Sequence, residues 1–301
     1  MEHPTRKDVS LRNLVTLEEM EAAEILQAQI WGYGRDSGDH PYPSRALFSL
    51  SESGGLVSGA FHEGKLVAFA AAWLGRWEKT RSYYLHSQLL GVLPEYRRMG
   101  LGFRLKLHQR DFALKSQLSL VRWTFDPLKY ANARFNLQVL GAVGQTYSAN
   151  HYGVMRSHLG GNLPSDRLWA DWYIDSARVR TCLEKRARHR CRGLPMALHS
   201  GWKKQNGEHL KRPMGLSLGI TDTDLLVEIP VDFDLILQKD SDLAGEWRSA
   251  VREVLRSYLS RGYIIDDCFS SSGAERLTAF YHLSLSELHE ILDLSGPKDT
   301  M

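Results

Sequence analysis

The feature that most constrains this chain is a short segment in which a strand must give way, through two glycines, to a helix. Residues 90–104 read Leu-Gly-Val-Leu-Pro-Glu-Tyr-Arg-Arg-Met-Gly-Leu-Gly-Phe-Arg. Pro94 cannot donate a ladder hydrogen bond and ends the strand, while Gly100 and Gly102 let a ligand approach the backbone. The helix beginning there directs its N–H groups and positive dipole end toward the loop. The segment predicts a cradle for a polyphosphate.

Basic side chains surround this loop, and other phosphate-binding motifs do not match it. Arg97, Arg98 and Arg104 add fixed positive charge. A Rossmann site requires G-x-G-x-x-G and a P-loop ends in Gly-Lys-Ser/Thr, and the loop has neither. The structural alternative is a plain turn without a ligand.

The neighbouring segments alternate between strand and helix patterns. Thr16 and Glu19 form a capping box that predicts a helix start, and Gly64 suits a tight hairpin turn. Periodicity predicts strands at 56–61, 66–73, 82–92, 118–125, 145–155 and 167–174, and helices at 101–115 and 131–140. We expect one domain over 1–176, a basic linker over 177–213, and a smaller α/β domain over 214–301.

Composition narrows the function classes. Hydrophobic residues make up 43% of the 301 and charged residues 24%, as in folded globular proteins. A net charge of +3 is too small for a typical nucleic-acid binder. Three scattered cysteines, Cys182, Cys191 and Cys268, predict thiols in a reducing compartment, hence the cytoplasm. The sequence has no run of 18 apolar residues, so we expect no membrane span.

At Arg97, Gly100 and Gly102 the sequence resembles the GNAT superfamily of N-acyltransferases, whose coenzyme A motif reads Arg or Gln, two residues, Gly, one residue, then Gly or Ala. The order of predicted elements extends the resemblance over about residues 10–175. It implies an α/β (α+β) fold with a mixed, mainly antiparallel sheet flanked by helices. It also implies acetyl-CoA or another acyl-CoA as cosubstrate, and no metal.

The resemblance implies a set of coenzyme-binding residues along the motif strand, the loop and a later helix. Backbone groups near Leu90 and Val92 would hold the pantetheine arm and polarise the thioester carbonyl. The complete set is Leu90, Val92, Arg97, Arg98, Met99, Gly100, Leu101, Gly102 and Asn132.

The reaction of this family requires a base that takes a proton from an ammonium group. The family often places it 11 residues before the motif arginine, which is His86 here. Strand alternation predicts that His86, Gln88 and Leu90 share one face. Glu78 and Asp126 are rival bases, and a plain hydrogen-bonded strand histidine is the structural alternative.

The proton donor of the family does not carry over. Its tyrosine position is Leu137 here, and Gly141-Ala142 replaces the usual glycine and aromatic pair. Tyr147 and Tyr152 are candidate substitutes. A thiolate is also an acceptable leaving group near neutral pH.

The sequence thus predicts transfer of an acetyl group, with succinyl as the other candidate, to an amino acid or other small amine. The alternatives are a protein lysine or N-terminal acetyltransferase and a non-catalytic acyl-CoA sensor. The domain at 214–301 is expected to cover the acceptor pocket or to mediate a homodimer. A zinc site at His189 and Cys191 is disfavoured because zinc sites need four regularly spaced ligands.

Overall fold

The computed structural model describes residues 8–33, 40–78, 80–154, 163–184, 193–205, 208–272 and 277–293. Two compact units divide the chain, Met1–Trp123 and Thr124–Met301. We call them the first and second unit. No helix within the described ranges is long and apolar enough to cross a membrane.

The first unit is a mixed sheet with helices on its faces, as predicted. Its strands are β1 (Val9–Asn13), β2 (Leu56–His62), β3 (Lys65–Arg76), β4 (Tyr83–Val92) and the start of β5 (Leu120–Phe125). Its helices are α1 (Leu17–Trp31), α2 (Ser44–Glu52) and α3 (Leu101–Lys115). The strands lie in sequence order. The pairs from β1 to β4 are antiparallel, whereas β4 and β5 are parallel.

Two local sequence signals in this unit are confirmed. Thr16 caps α1, and its side chain and that of Glu19 complete the capping box. The hairpin between β2 and β3 closes with His62 opposite Lys65. Its two turn residues, Glu63 and Gly64, have φ of 50° and 77°, as a type I′ turn requires.

The core of the first unit joins α1 and α3 to the sheet. Phe69 and Val67 of β3 are fully buried. They lie in one cluster with Met20, Ala23 and Leu26 of α1 and Leu101 and Leu105 of α3. Burial of each such side chain contributes about 1.5–3 kcal/mol to the folding free energy. This packing holds α3 against the sheet and so fixes the position of the loop before it.

The second unit contains a second sheet. After the end of β5 it comprises α4 (Tyr130–Arg134), a π-helical turn (Phe135–Val139), β6 (Tyr147–Ser148), β7 (Arg167–Tyr173), α5 (Ala177–Leu183), β8 (Met196–Gln205), β9 (Glu208–Leu216), β10 (Asp224–Ile229), α6 (Phe233–Lys239), α7 (Ser241–Ser260), β11 (Ile264–Ser272), β12 (Leu277–Ser284) and α8 (Leu288–Asp293). Its five-stranded sheet has the order β11-β12-β10-β8-β9. The predicted strand at 145–155 is reduced to two residues.

The prediction of a basic linker over 177–213 differs from the structure. Described residues there form α5, β8 and most of β9, and β8 pairs with both β9 and β10. Some basic residues of this segment are built into the sheet. Lys211, for example, is buried and donates to Glu228 at 2.5 Å. A count of basic residues along the sequence cannot show that one of them is paired with a distant carboxylate. His189 and Cys191 lie outside the described residues.

Candidate functional site

The loop between β4 and α3 turns through two left-handed residues. After β4 ends at Val92, residues Pro94–Tyr96 form one turn of 3-10 helix. Arg98 and Gly100 then have φ of 65° and 78°. Glycine adopts this conformation without strain, so Gly100 is well suited as the residue that precedes the first turn of α3.

The N-terminus of α3 is open to a ligand. In the described structure Gly100 provides no side-chain cap, and the first bond of the helix runs from Arg104 N to Gly100 O at 3.0 Å. The N–H groups of the first turn, from Leu101 to Phe103, precede the intrahelical ladder. Together with the helix dipole they favour an anion.

Gly102 is not explained by internal packing. Its φ is not positive, and a Cβ built on it would meet, among described atoms, only Leu90 Cδ2 at 3.6 Å, an ordinary contact. The fold itself therefore tolerates alanine here. Apart from Leu90, no described atom lies within 4 Å of this Cβ position, which leaves space beside the first-turn N–H groups at which a pyrophosphate would bind. The loop residues thus fit a bound polyphosphate.

The side chains of the loop divide between solvent and core. Arg97 and Arg98 are exposed, and Arg97 Nε donates to Val92 O at 3.3 Å. Met99 packs on the core, and Leu101 is 1% exposed within it. Arg104 Nη2 donates to Val9 O at 2.8 Å. The charge available to a ligand at this loop includes that of Arg97 and Arg98, while Leu101 offers its backbone.

A β-bulge in β4 lies next to the loop. Ala71 pairs with Leu89 and Ala72 pairs with Ser87, so Gln88 is the extra residue. Bulges re-aim side chains and are frequent beside active sites. The predicted alternation is therefore wrong at Leu90, because the bulge moves Leu90 to the α3 side of the sheet, beneath Gly102. His86 and Gln88 remain together, as predicted.

His86 lies directly against the bulge. Its Nε2 is 2.8 Å from Gln88 Oε1, so the amide oxygen accepts a hydrogen bond when Nε2 carries a proton. The imidazole is partly exposed. Its ring centroid lies 5.4 Å from that of Trp73 and 6.1 Å from that of Tyr84. Sequence reasoning missed both rings. The position of Tyr84 two residues before His86 on the same strand was a signal for one of them, whereas Trp73 reaches His86 only through strand pairing.

The two rival bases have other surroundings. Glu78 is exposed, beyond the end of β3. Both oxygens of Asp126 accept from Arg248, each at 2.7 Å. Asp126 Oδ1 also accepts from Leu128 N at 2.9 Å. Both oxygens of Asp126 are therefore engaged in a two-point ion pair with Arg248.

The candidate proton donors lie in the second unit. Tyr147 donates its hydroxyl hydrogen to Asp166 Oδ2 at 2.6 Å, and burial together with this carboxylate raises its pKa. Tyr152 is 51% exposed, and its hydroxyl lies 3.2 Å from Thr124 Oγ1. Asn132 is exposed on α4. Leu137 is fully buried.

Sequence reasoning also missed a polar cluster on the α3 side of β4. Lys106 Nζ donates to Ser87 Oγ at 2.9 Å and lies 3.4 Å from the centroid of the Trp123 ring. Ser87 in turn donates to Gln109 Oε1 at 2.9 Å. Burial lowers the pKa of Lys106 well below its usual value. The sequence gave no sign that Lys106 is buried, because a lysine between the apolar positions of a helix is usually solvent-exposed.

Comparison with known proteins identifies the first part of the chain. Residues 21–140 match the model of the acetyltransferase (GNAT) family. No curated protein matches the sequence. The fold is similar to ribosomal-protein-S18-alanine N-acetyltransferase from Escherichia coli, at 19% identity and a TM-score of 0.43, covering 55% of this chain and 94% of that one. It is also similar to a putative acetyltransferase from Salmonella typhimurium with its cofactor acetyl-CoA, at 16% identity and a TM-score of 0.45, covering 56% and 95%. Residues 21–140 of this chain, which include the loop of Gly100 and Gly102, thus match the acetyltransferase (GNAT) family.

Proposed function

We propose that this protein is an acyl-CoA-dependent N-acyltransferase that transfers an acetyl group to a primary amine, with an amino acid or other small amine as acceptor. The observation that carries the proposal is the open N-terminus of α3. There Gly102 leaves room that internal packing does not require. A family match and a phosphate cradle on the same segment support one donor, an acyl-CoA. Succinyl-CoA is the second donor to test.

The residues that would hold the coenzyme lie on one continuous segment. First-turn N–H groups of α3, with Arg97 and Arg98, would bind the pyrophosphate. In the described ladder β4 pairs with β5 only through Leu85 and His86. The backbone from Leu90 to Val92 pairs with β3 on one side, which leaves its other side for the pantetheine arm. When bound, the coenzyme supplies the thioester.

His86 is the proposed base. A primary ammonium group has a reference pKa of about 8–10.4 and must lose a proton before it attacks. An imidazole has a reference pKa near about 6.5, which suits a base at neutral pH. His86 Nδ1 is buried, so Nε2 would take the proton from the amine, and the protonated Nε2 would then donate to Gln88 Oε1, which lies 2.8 Å away. Gln88 is thus the proposed positioning residue.

Tyr152 is favoured over Tyr147 as proton donor to the departing thiolate. Tyr147 already donates to Asp166, and its pKa is raised by burial. Tyr152 is exposed. A free thiol has a reference pKa of about 8.5, so the thiolate can also leave unprotonated. Removal of the Tyr152 hydroxyl should therefore have a smaller effect than removal of His86.

The test is release of free thiol from acetyl-CoA with a panel of small amines and lysine peptides. His86→Ala should lower turnover by about 10²-fold or more and leave coenzyme affinity near normal. A matched control is His108→Ala, because that histidine lies on α3 and contacts Asn13 of β1 rather than the proposed site. Unchanged turnover in His86→Ala would remove this residue from the mechanism.

Two other functions remain distinguishable in the same assay. Coenzyme binding without turnover on any acceptor would support the acyl-CoA sensor, and turnover on peptides alone would support a protein acetyltransferase.

A cytoplasmic location and a homodimer are further proposals. The buried thiols of Cys182 and Cys268 support the former, and analytical ultracentrifugation tests the latter.

A further inference from the structure

Two aromatic side chains of the first unit, Trp73 and Tyr84, lie against His86, and a third, Tyr42, lies against Trp73. We call these three side chains the aromatic wall. Trp73 of β3 pairs directly with His86 of β4, so both side chains lie on the same face. Tyr84 reaches that face because Gly75, opposite it, has no side chain. A Cβ on Gly75 would lie 2.5 Å from Tyr84 Cζ.

Tyr42 is held against this face by a buried amide. Gln27 of α1 is fully buried. Its Oε1 accepts from Tyr42 N at 2.9 Å, and its Nε2 donates to Tyr42 O at 3.2 Å. Ser44 N is fixed in the same way by Glu24 Oε2 at 2.6 Å. The Tyr42 ring centroid consequently lies 6.0 Å from that of Trp73, while 37% of Tyr42 stays exposed.

A guanidinium group also lies against an aromatic ring of the wall. The guanidinium carbon of Arg122 lies 3.8 Å from the ring centroid of Trp77 and 5.3 Å from that of Tyr84. A flat apolar group on the acceptor would stack on Tyr42 or Trp73, since aromatic pairs favour offset and edge-to-face contacts.

We propose that the aromatic wall is the acceptor-specificity surface and that the acceptor is a small primary amine carrying an aromatic ring close to its amino group. The inference rests on the proposed function, since it takes His86 as the base. The aromatic group packs on Trp73 and Tyr42, and the amino group reaches the imidazole. Trp73 is a specificity residue in this arrangement, whereas His86 performs the proton transfer.

The test compares 2-phenylethylamine with ethylamine in the thiol-release assay, using wild type, Trp73→Leu and Tyr42→Ala. Each variant should lower the ratio of kcat/KM for the two amines about tenfold, through a higher KM for 2-phenylethylamine. Comparing this ratio between variants cancels the difference in basicity between the two amines, because that difference is the same for every variant. Tyr83→Ala is the matched control, because Tyr83 precedes Tyr84 on the strand and is 56% exposed, and it should leave the ratio unchanged.

An unchanged ratio in both variants, or an equal loss on both amines, overturns the inference. Calorimetric titration of 2-phenylethylamine in the presence of coenzyme A provides a readout independent of turnover. Tighter binding to wild type than to Tyr42→Ala supports the wall even if no amine is acylated, in which case only the proposed function fails. Equal or absent binding refutes the wall. Tyr42→Ala keeps the test valid should Trp73→Leu not fold.

Discussion

The substitution Gly102→Gln should stabilise the protein while weakening coenzyme binding. The new Cβ would meet, among described atoms, only Leu90 Cδ2 at 3.6 Å, so no neighbour has to move. Replacing a helical glycine with glutamine stabilises by about 0.5 kcal/mol, which raises Tm by about 1–2 °C in a unit of this size. The longer side chain would cover the first-turn N–H groups and exclude pyrophosphate, whereas alanine, which the family motif accepts at this position, would not.

The loss of affinity follows from the hydrogen bonds involved. One or two charge-assisted bonds at about 1.5 kcal/mol each correspond to a Kd for coenzyme A about 10- to 100-fold higher. Thermal unfolding measures the first effect, and calorimetric titration with coenzyme A measures the second. A higher Tm together with weaker coenzyme binding would show that this glycine serves ligand binding rather than folding.

The matched control is Gly64→Ala in the hairpin turn. Gly64 has φ of 77°, so alanine should cost about 1–2 kcal/mol without changing coenzyme affinity. Gly102→Gln with raised Tm and unchanged affinity would refute the cradle. Lowered Tm would show instead that packing needs the glycine.

Three further predictions concern stability. Asp126→Asn leaves the buried Arg248 without its carboxylate and should cost about 3–5 kcal/mol, measured by urea unfolding. Lys106→Met should stabilise at neutral pH and flatten the rise of stability with pH, because the lowered pKa of Lys106 means the unfolded chain binds the extra proton. The pKa of His282 is raised to about 10 by Asp224 and Asp266, against burial, which lowers it. Its contribution is therefore complete below about pH 6.5 and lost as pH rises through about 10, and His282→Gln should remove this alkaline dependence.

Local signals in the sequence predicted the elements that depend on near neighbours. The capping box at Thr16, the turn at Gly64 and the strand end before Pro94 are all determined within a few residues. The linker prediction failed because basic residues of β9 acquire their partners from distant strands. Lys211 contacts Glu228 of β10 and Thr278 of β12, and no short window contains that information.

The same distinction explains what was missed at the candidate site. Tyr42, Trp73 and His86 are far apart in the chain and meet only through strand pairing and the Gln27 contact. The loop of Gly100 and Gly102, by contrast, is contiguous and could be read directly. The proposed donor-binding loop could therefore be identified from sequence, whereas the proposed acceptor surface depends on tertiary structure.

The bulge at Gln88 connects these two parts of the site. Without it, regular alternation would put Leu90 on the face of His86, where its side chain would occupy space beside the imidazole. With one extra residue, Leu90 turns toward α3 and supports Gly102 from below. Gln88 meanwhile stays beside His86 at 2.8 Å. A single inserted residue thus directs an apolar side chain to the helix that would bind the coenzyme and a polar one to the proposed base.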